Sequence, residues 1–188
     1  PEGPYELRAV ATSRSDVVDS SPATILTTID HADPEVQEQV SGSGVQKRQK
    51  VNDTITNVVQ VGDPQVGVLT KITVPPTAIN TTSTTLRVHT NPTGVPAIPE
   101  GVGTTNIFRE ITLESGQSAL SNSQQATITM AYPDADDNGI LDGTAVSADR
   151  LTLYRFNTAA NRWDKLPSTV NKLDKTVSAQ TPGFSMFG

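Results

Sequence analysis

A chain of 188 residues with net charge −6 and no cysteine excludes disulfide frameworks, thiolate metal sites and thiol catalysis, and it carries no basic field for nucleic acid. Hydrophobic residues make up 35% and aromatics 4%, so the core must rest on Val, Ile, Leu and Ala, and the length suffices for one without staples. No apolar run approaches the length of a membrane span.

The first thirty residues offer two strand-like runs, "YELRAVAT" (5–12) and "ATILTTI" (23–29). Residues 31–52 are polar, contain Gly-Ser pairs and lack apolar alternation. They are expected to form a linker, with the basic cluster "QKRQK" (46–50) as a solvated loop. From residue 53 to 188, β-branched and alternating runs return: "DTITNVVQV" (53–61), "VGVLTKITV" (66–74), "TTLRVHT" (84–90), "TNIFREITL" (105–113), "QATITMAY" (125–132), "RLTLYRF" (150–156), "KTVSAQT" (175–181) and "FSMF" (184–187). Breakers such as "VPP", "NPTG", "IPEG" and "ESG" separate them, and no segment sustains a helical period. Strands at this spacing predict an all-β protein: an antiparallel β-sandwich of the immunoglobulin-like topology class, preceded by a short two-strand segment. A lone hairpin is marginal in water, so residues 1–30 are expected to pair with something else.

The stretch "DADDNGILDGTA" (134–145) is the one ordered group of acidic residues. Asp134, Asp136, Asn138 and Asp142 occupy alternate positions of a D-x-D-x-N-G loop, with Gly139 at the sharp turn. Alternate side chains of a tightly curved loop converge on one point, and calcium accepts several such oxygens. Ile140 is expected to offer its carbonyl and pack its side chain inward. Position 12, where such loops carry a bidentate Glu, is Ala145, so Asp149 is the nearest acid that could close the shell, and Asp137 could face the ion in a differently shaped loop. The alternative is an Asp-Asn-Gly hairpin turn with solvated acids. A metal here would be structural, because catalytic zinc wants histidine and both histidines, His31 and His89, are distant in sequence.

Three passages together resemble a known module. "ITVPPTAI" (72–79), "FREITLESGQSALSNSQQATITMAYPD" (108–134) and "LTLYRFNTAANRWDKLPSTVNKLDKTVSAQTPGFSMFG" (151–188) are similar, in that order, to the sandwich of netrin receptors and ankyrins. The closer resemblance is to bacterial and archaeal multidomain surface proteins with an aspartate-rich calcium loop before the "L.LY" strand. "YELRAVATSRSDVVDSSPATI" (5–25) resembles the last two strands of a bacterial immunoglobulin-like domain. The resemblance implies a non-enzymatic, extracellular or cell-surface module of a fibre, filament or adhesin, with copies of itself or other surface-protein domains as partners. A module that binds a glycan or a partner protein through its loops is the alternative; for a glycan, Trp163 or Tyr154 would be the stacking residues.

Some relatives of this sandwich cut themselves between Phe and Ser of a His-Phe-Ser motif. Here Phe184 and Ser185 are present, but Gly183 stands in the histidine position and supplies no base. A triad of Ser185, His89 and an Asp lacks a nucleophile elbow. "GVGTTN" (101–106) lacks the Lys and helix of a phosphate loop and is expected to be a turn. Trp163 is expected to pack over the sandwich end, and Phe184 and Phe187 to fill the core.

Overall fold

In the computed structural model, which describes residues 4–8, 24–28, 36–41, 44–63 and 68–188, the alternating runs become antiparallel strands. The chain divides into two units, Pro1–Glu35 and Val36–Gly188. In the first, β1 (Pro4–Arg8) pairs with β2 (Thr24–Thr28), placing Tyr5 opposite Thr27 and Leu7 opposite Ile25. Residues 9–12, 23 and 29 of these expected strands, residues 66–67 of a later one, and His31 lie outside the described residues.

The second unit is the expected β-sandwich. One sheet has seven strands, in the order β11 (Arg162–Lys165), β10 (Tyr154–Asn157), β14 (Met186–Phe187), β8 (Arg109–Leu113), β7 (Ser83–Thr90), β4 (Gly44–Asn52) and β3 (Val36–Ser41). The other has five, in the order β12 (Ser168–Asn171), β13 (Thr176–Thr181), β9 (Ala126–Ala131), β6 (Val68–Val74) and β5 (Asn57–Asp63). All pairings are antiparallel.

A strand sends successive side chains to opposite faces, and the sequence respects this. Leu86 and Val88 of β7, Ile111 and Leu113 of β8, Val59 and Val61 of β5, and Ile128 and Met130 of β9 all enter one core, which Phe184 and Phe187 complete. Arg109 also points inward from β8 and is fully buried. A buried guanidinium needs hydrogen-bond acceptors. Its Nε donates to Thr70 Oγ1 on the opposite sheet at 2.8 Å, and its Nη1 donates to the Phe108 carbonyl at 2.7 Å. The turn from β4 to β5 carries the chain from one sheet to the other. Buried Asn57 holds it: its Oδ1 accepts the Asn52 N–H at 2.8 Å, and its Nδ2 donates to the Asn52 and Ile55 carbonyls.

The linker expected over 31–52 is corrected by this arrangement. Residues 36–41 and 44–52 are β3 and β4, so the sandwich unit begins at Val36 rather than at residue 53. "QKRQK" is the middle of β4, not a solvated loop. Only Val45 and Val51 anchor β4 in the core, and the positions between them on the same face are Lys47 and Gln49. Their stems span the sandwich margin, where Lys47 Nζ donates to the Gln60 carbonyl at 2.7 Å and Gln49 Nε2 to the Val58 carbonyl at 3.2 Å. Both carbonyls belong to β5, which ends its sheet. These donors occupy an edge that would otherwise template another strand.

On the opposite face of β4, Arg48 grips Glu114 through two hydrogen bonds of 2.8 Å. The hydrogen bond from Arg48 holds the Glu114 carboxyl below the usual range. A depressed carboxylate stabilises the fold fully above its unfolded value, near 4.3, and loses that contribution as pH falls through the folded one. Denaturant melts of the wild type and Glu114→Gln should therefore differ most at pH 7, and the gap should narrow as the pH falls below the unfolded value. A gap that stays equal as the pH falls would contradict this.

Candidate metal centre

Strand β9 ends at Ala131, and the acidic loop follows at once. Tyr132 is buried, and its N–H donates to the Lys175 carbonyl at 2.9 Å, which pins the loop's entry to the β12–β13 hairpin. Burial, with Asp134 nearby, raises the Tyr132 pKa and keeps its phenol neutral. The loop then closes on itself. Asp142 N–H reaches the Pro133 carbonyl at 3.1 Å, Leu141 N–H the Val146 carbonyl at 3.0 Å, and Ala148 N–H the Gly139 carbonyl at 2.9 Å. Gly139 has φ +75°, the left-handed region that the turn requires and that glycine enters without steric cost.

Asp134, Asp136 and Asp142 converge: one oxygen from each lies within 4.8 Å of the others. Asp134 is buried, and its two oxygens accept the Asn138 N–H at 3.1 Å and the Gly139 N–H at 3.0 Å. Asp142 accepts the Ala135 N–H through both oxygens, at 3.1 and 3.0 Å. Asn138 donates from Nδ2 to Asp136 Oδ2 at 2.7 Å, while its Oδ1 accepts the Ile140 N–H at 2.7 Å. In this rotamer its amide N–H group faces the carboxylates; a flip of the carboxamide would instead present oxygen to them. Three carboxylates on a curved, hydrogen-bonded loop are a donor set that could hold a metal ion, and hard oxygen donors fit a hard divalent cation.

Two expectations about the loop meet a different placement, and so does the alternative ligand Asp137. Asp149 does not join the convergent carboxylates. It sits in a single 3₁₀ turn, Ala148–Arg150, where Lys172 Nζ holds it at 2.6 Å. The Ile140 side chain is 39% exposed rather than inward. Its neighbour Leu141 is 4% exposed and packs with Tyr132 and Ala148 in a small core of its own. Asp137, at φ +59°, turns away to Lys175, 2.5 Å distant. The Asp137 hydrogen bond raises the Lys175 pKa, and Asp134 and Asp142 add to the effect.

Sequence reasoning missed Leu141, because the loop pattern assigned the inward side chain to its neighbour Ile140, and it missed Lys172 and Lys175, because loop spacing says nothing about residues thirty-odd positions away. The only available signal was the pairing of "KTVSAQT" with "QATITMAY", which sets Thr176 opposite Ala131 and so delivers Lys175 to the loop.

The other candidate chemistry is dispersed. His89 is separated from β14 by β8, and its Nδ1 faces Glu110 Oε2 at 3.9 Å. Gly183 lies against Ser118 and Ala119, where an added Cβ would overlap the Ser118 carbonyl oxygen. Trp163 is 8% exposed, packed edge-on to Phe156 with ring centroids 5.4 Å apart and tilted against Phe108 at 6.0 Å, as expected for a residue closing the sandwich end. Residues 101–106 form an irregular loop. No protein-family model matches this chain, and no curated protein or solved structure matches it significantly.

Proposed function

We propose that this chain is a non-enzymatic structural module of an extracellular surface fibre, filament or adhesin, and that calcium bound at the acidic loop fixes the end of its sandwich. The observation that carries this reading is the convergence of Asp134, Asp136 and Asp142 on a loop flanked by strands. Asp134, Asp136 and Asp142 would hold the ion, with the Ile140 carbonyl and the flipped Asn138 carboxamide as further oxygens. The ion would supply charge balance and rigidity. The resemblance to surface-protein modules supports the extracellular setting. The glycan alternative called for an exposed aromatic platform, and the burial of Trp163 weighs against that residue as one.

The β1–β2 pair is a two-stranded sheet, and such a sheet gains most from an added strand. Strand addition supplies main-chain hydrogen bonds and apolar pockets together, and a head-to-tail contact need not close into a ring. This part of the proposal is that residues 1–30 join neighbouring domains or copies. Titration calorimetry of the full chain should show one calcium per chain, lost in Asp136→Ala. Light scattering should show concentration-dependent assembly that disappears when residues 1–30 are deleted. Absence of calcium binding would defeat the metal assignment. Unchanged assembly after the deletion, or a full chain monomeric at every concentration, would defeat the strand-mediated contact.

A further inference from the structure

A cavity of about 440 Å³ opens at the end of the sandwich beside the acidic loop. That size falls in the range of small-ligand pockets, roughly 300–1,000 Å³. Two kinds of residue line it. The apolar set includes Ile107, Leu151, Leu153 and Trp163 from the strand ends and their flanks, and Ile98 and Val102 from the loop that crosses them. That loop is fastened to the same aromatic group, because Trp163 Nε1 donates to the Pro96 carbonyl at 3.4 Å. The charged set is Arg150 and Lys165, and no acidic side chain is among the lining residues described.

The charge pattern is the informative part. The chain carries 20 acidic and 14 basic residues, yet the charged side chains that line this cavity are both cations. Both cations are exposed, and neither forms an ion pair with a described residue, whereas Arg48, Arg162, Lys172 and Lys175 each hold a carboxylate. Ligand pockets combine an apolar body with a few polar groups that fix orientation, and an arginine guanidinium suits an oxyanion by its fork of donors.

We propose that this cavity binds a small amphipathic anion, with the apolar part of the ligand against Trp163 and the leucines and its anionic head at Arg150 and Lys165. The site is separate from the metal assignment, since none of Asp134, Asp136 or Asp142 lines it. Trp163 is the sole tryptophan, so its emission reports occupancy directly.

The test is titration of the full chain, in calcium-containing buffer, with 1-octanesulfonate, 1-octanol and octyltrimethylammonium, each kept below its micelle concentration. The expected result is a saturable change in Trp163 emission with the sulfonate, weaker binding of the alcohol and none of the cation. Arg150→Ala combined with Lys165→Ala should weaken sulfonate binding about tenfold, the equivalent of roughly one charge-assisted hydrogen bond. The melting temperature should stay unchanged, because both side chains are exposed. Equal affinity for all three probes, no saturable response to the sulfonate, or unchanged sulfonate affinity in the double variant would overturn the proposal.

Discussion

Calcium added to chelator-treated protein should raise its melting temperature by roughly 5–10 °C once the ion is a hundredfold above its Kd. A ligand that binds only the folded state stabilises it by RT ln(1 + [L]/Kd), about 2.7 kcal/mol at that ratio. A domain of this size shifts by about 2–4 °C per kcal/mol. The three aspartates should respond differently to substitution. Asp136 is exposed, and among the described residues its oxygens accept hydrogen bonds only from Asn138, so Asp136→Ala should abolish the calcium shift while barely moving the calcium-free melt. Asp134 is buried and satisfies the Asn138 and Gly139 N–H groups. Asp134→Ala should lower the calcium-free melt as well, because two donors lose their acceptor at roughly 1–3 kcal/mol for each that stays buried. Magnesium should shift the melt less, since it demands octahedral geometry and sheds water reluctantly. Scanning calorimetry in chelator and in millimolar calcium is the measurement, and identical melts would remove calcium from the account.

Gly183→Ala should cost about 2–3 kcal/mol, the upper part of the overpacking range, and lower the melt by roughly 5–10 °C. The run 182–184 is laced to 118–120: Leu120 N–H donates to the Pro182 carbonyl and Phe184 N–H to the Ser118 carbonyl, both at 2.8 Å. A Cβ on Gly183 would strike the Ser118 carbonyl oxygen and crowd the Ala119 Cα, and both are backbone atoms that cannot rotate aside. The same packing bears on self-cleavage. Gly183→His would place a histidine where even a methyl does not fit, so it should destabilise the fold rather than arm Ser185. Intact-mass spectra after long incubation should show no fragment beginning at Ser185, in the wild type or in the histidine variant. Such a fragment, or a Gly183→Ala protein as stable as the wild type, would contradict this view.

The strands that sequence revealed are those with apolar alternation. "TTLRVHT", "QATITMAY" and "KTVSAQT" fall within a residue of β7, β9 and β13. Those that escaped notice are amphipathic in another sense. In β4 the inward positions between Val45 and Val51 are Lys47 and Gln49, which pack their stems and spend their polar ends on β5, so the period is present but coded in long polar side chains. β11 and β12, four residues each, bury Trp163 and no other fully inward side chain between them. Their identity comes from their neighbours β10 and β13. Conversely, the run "DTITNVVQV" begins four residues before its strand, because Asp53–Thr56 turns from one sheet to the other and Asn57 starts the strand. For the acidic loop, local spacing was enough to bring Asp134, Asp136 and Asp142 together, since all three lie on one tight turn. It could not place Asp149 on Lys172 or Asp137 on Lys175, because those contacts depend on which strand lies beside β9.

Within the seven-stranded sheet, the β10–β11 hairpin joins the other strands only through β14, the two residues Met186 and Phe187. Phe187 faces Arg155 of β10 on one side and Arg109 of β8 on the other. Without β14 this sheet therefore falls into two halves, β11-β10 and β8-β7-β4-β3. A chain in that state has its closing strand missing from the middle rather than from an edge, and the gap exposes two hydrogen-bonding edges at once. The contacts that join the halves pair residue 187 with residues 109 and 155, and pairings so distant in sequence form slowly. Anything that grips the stretch around Phe187 keeps the two halves of this sheet apart.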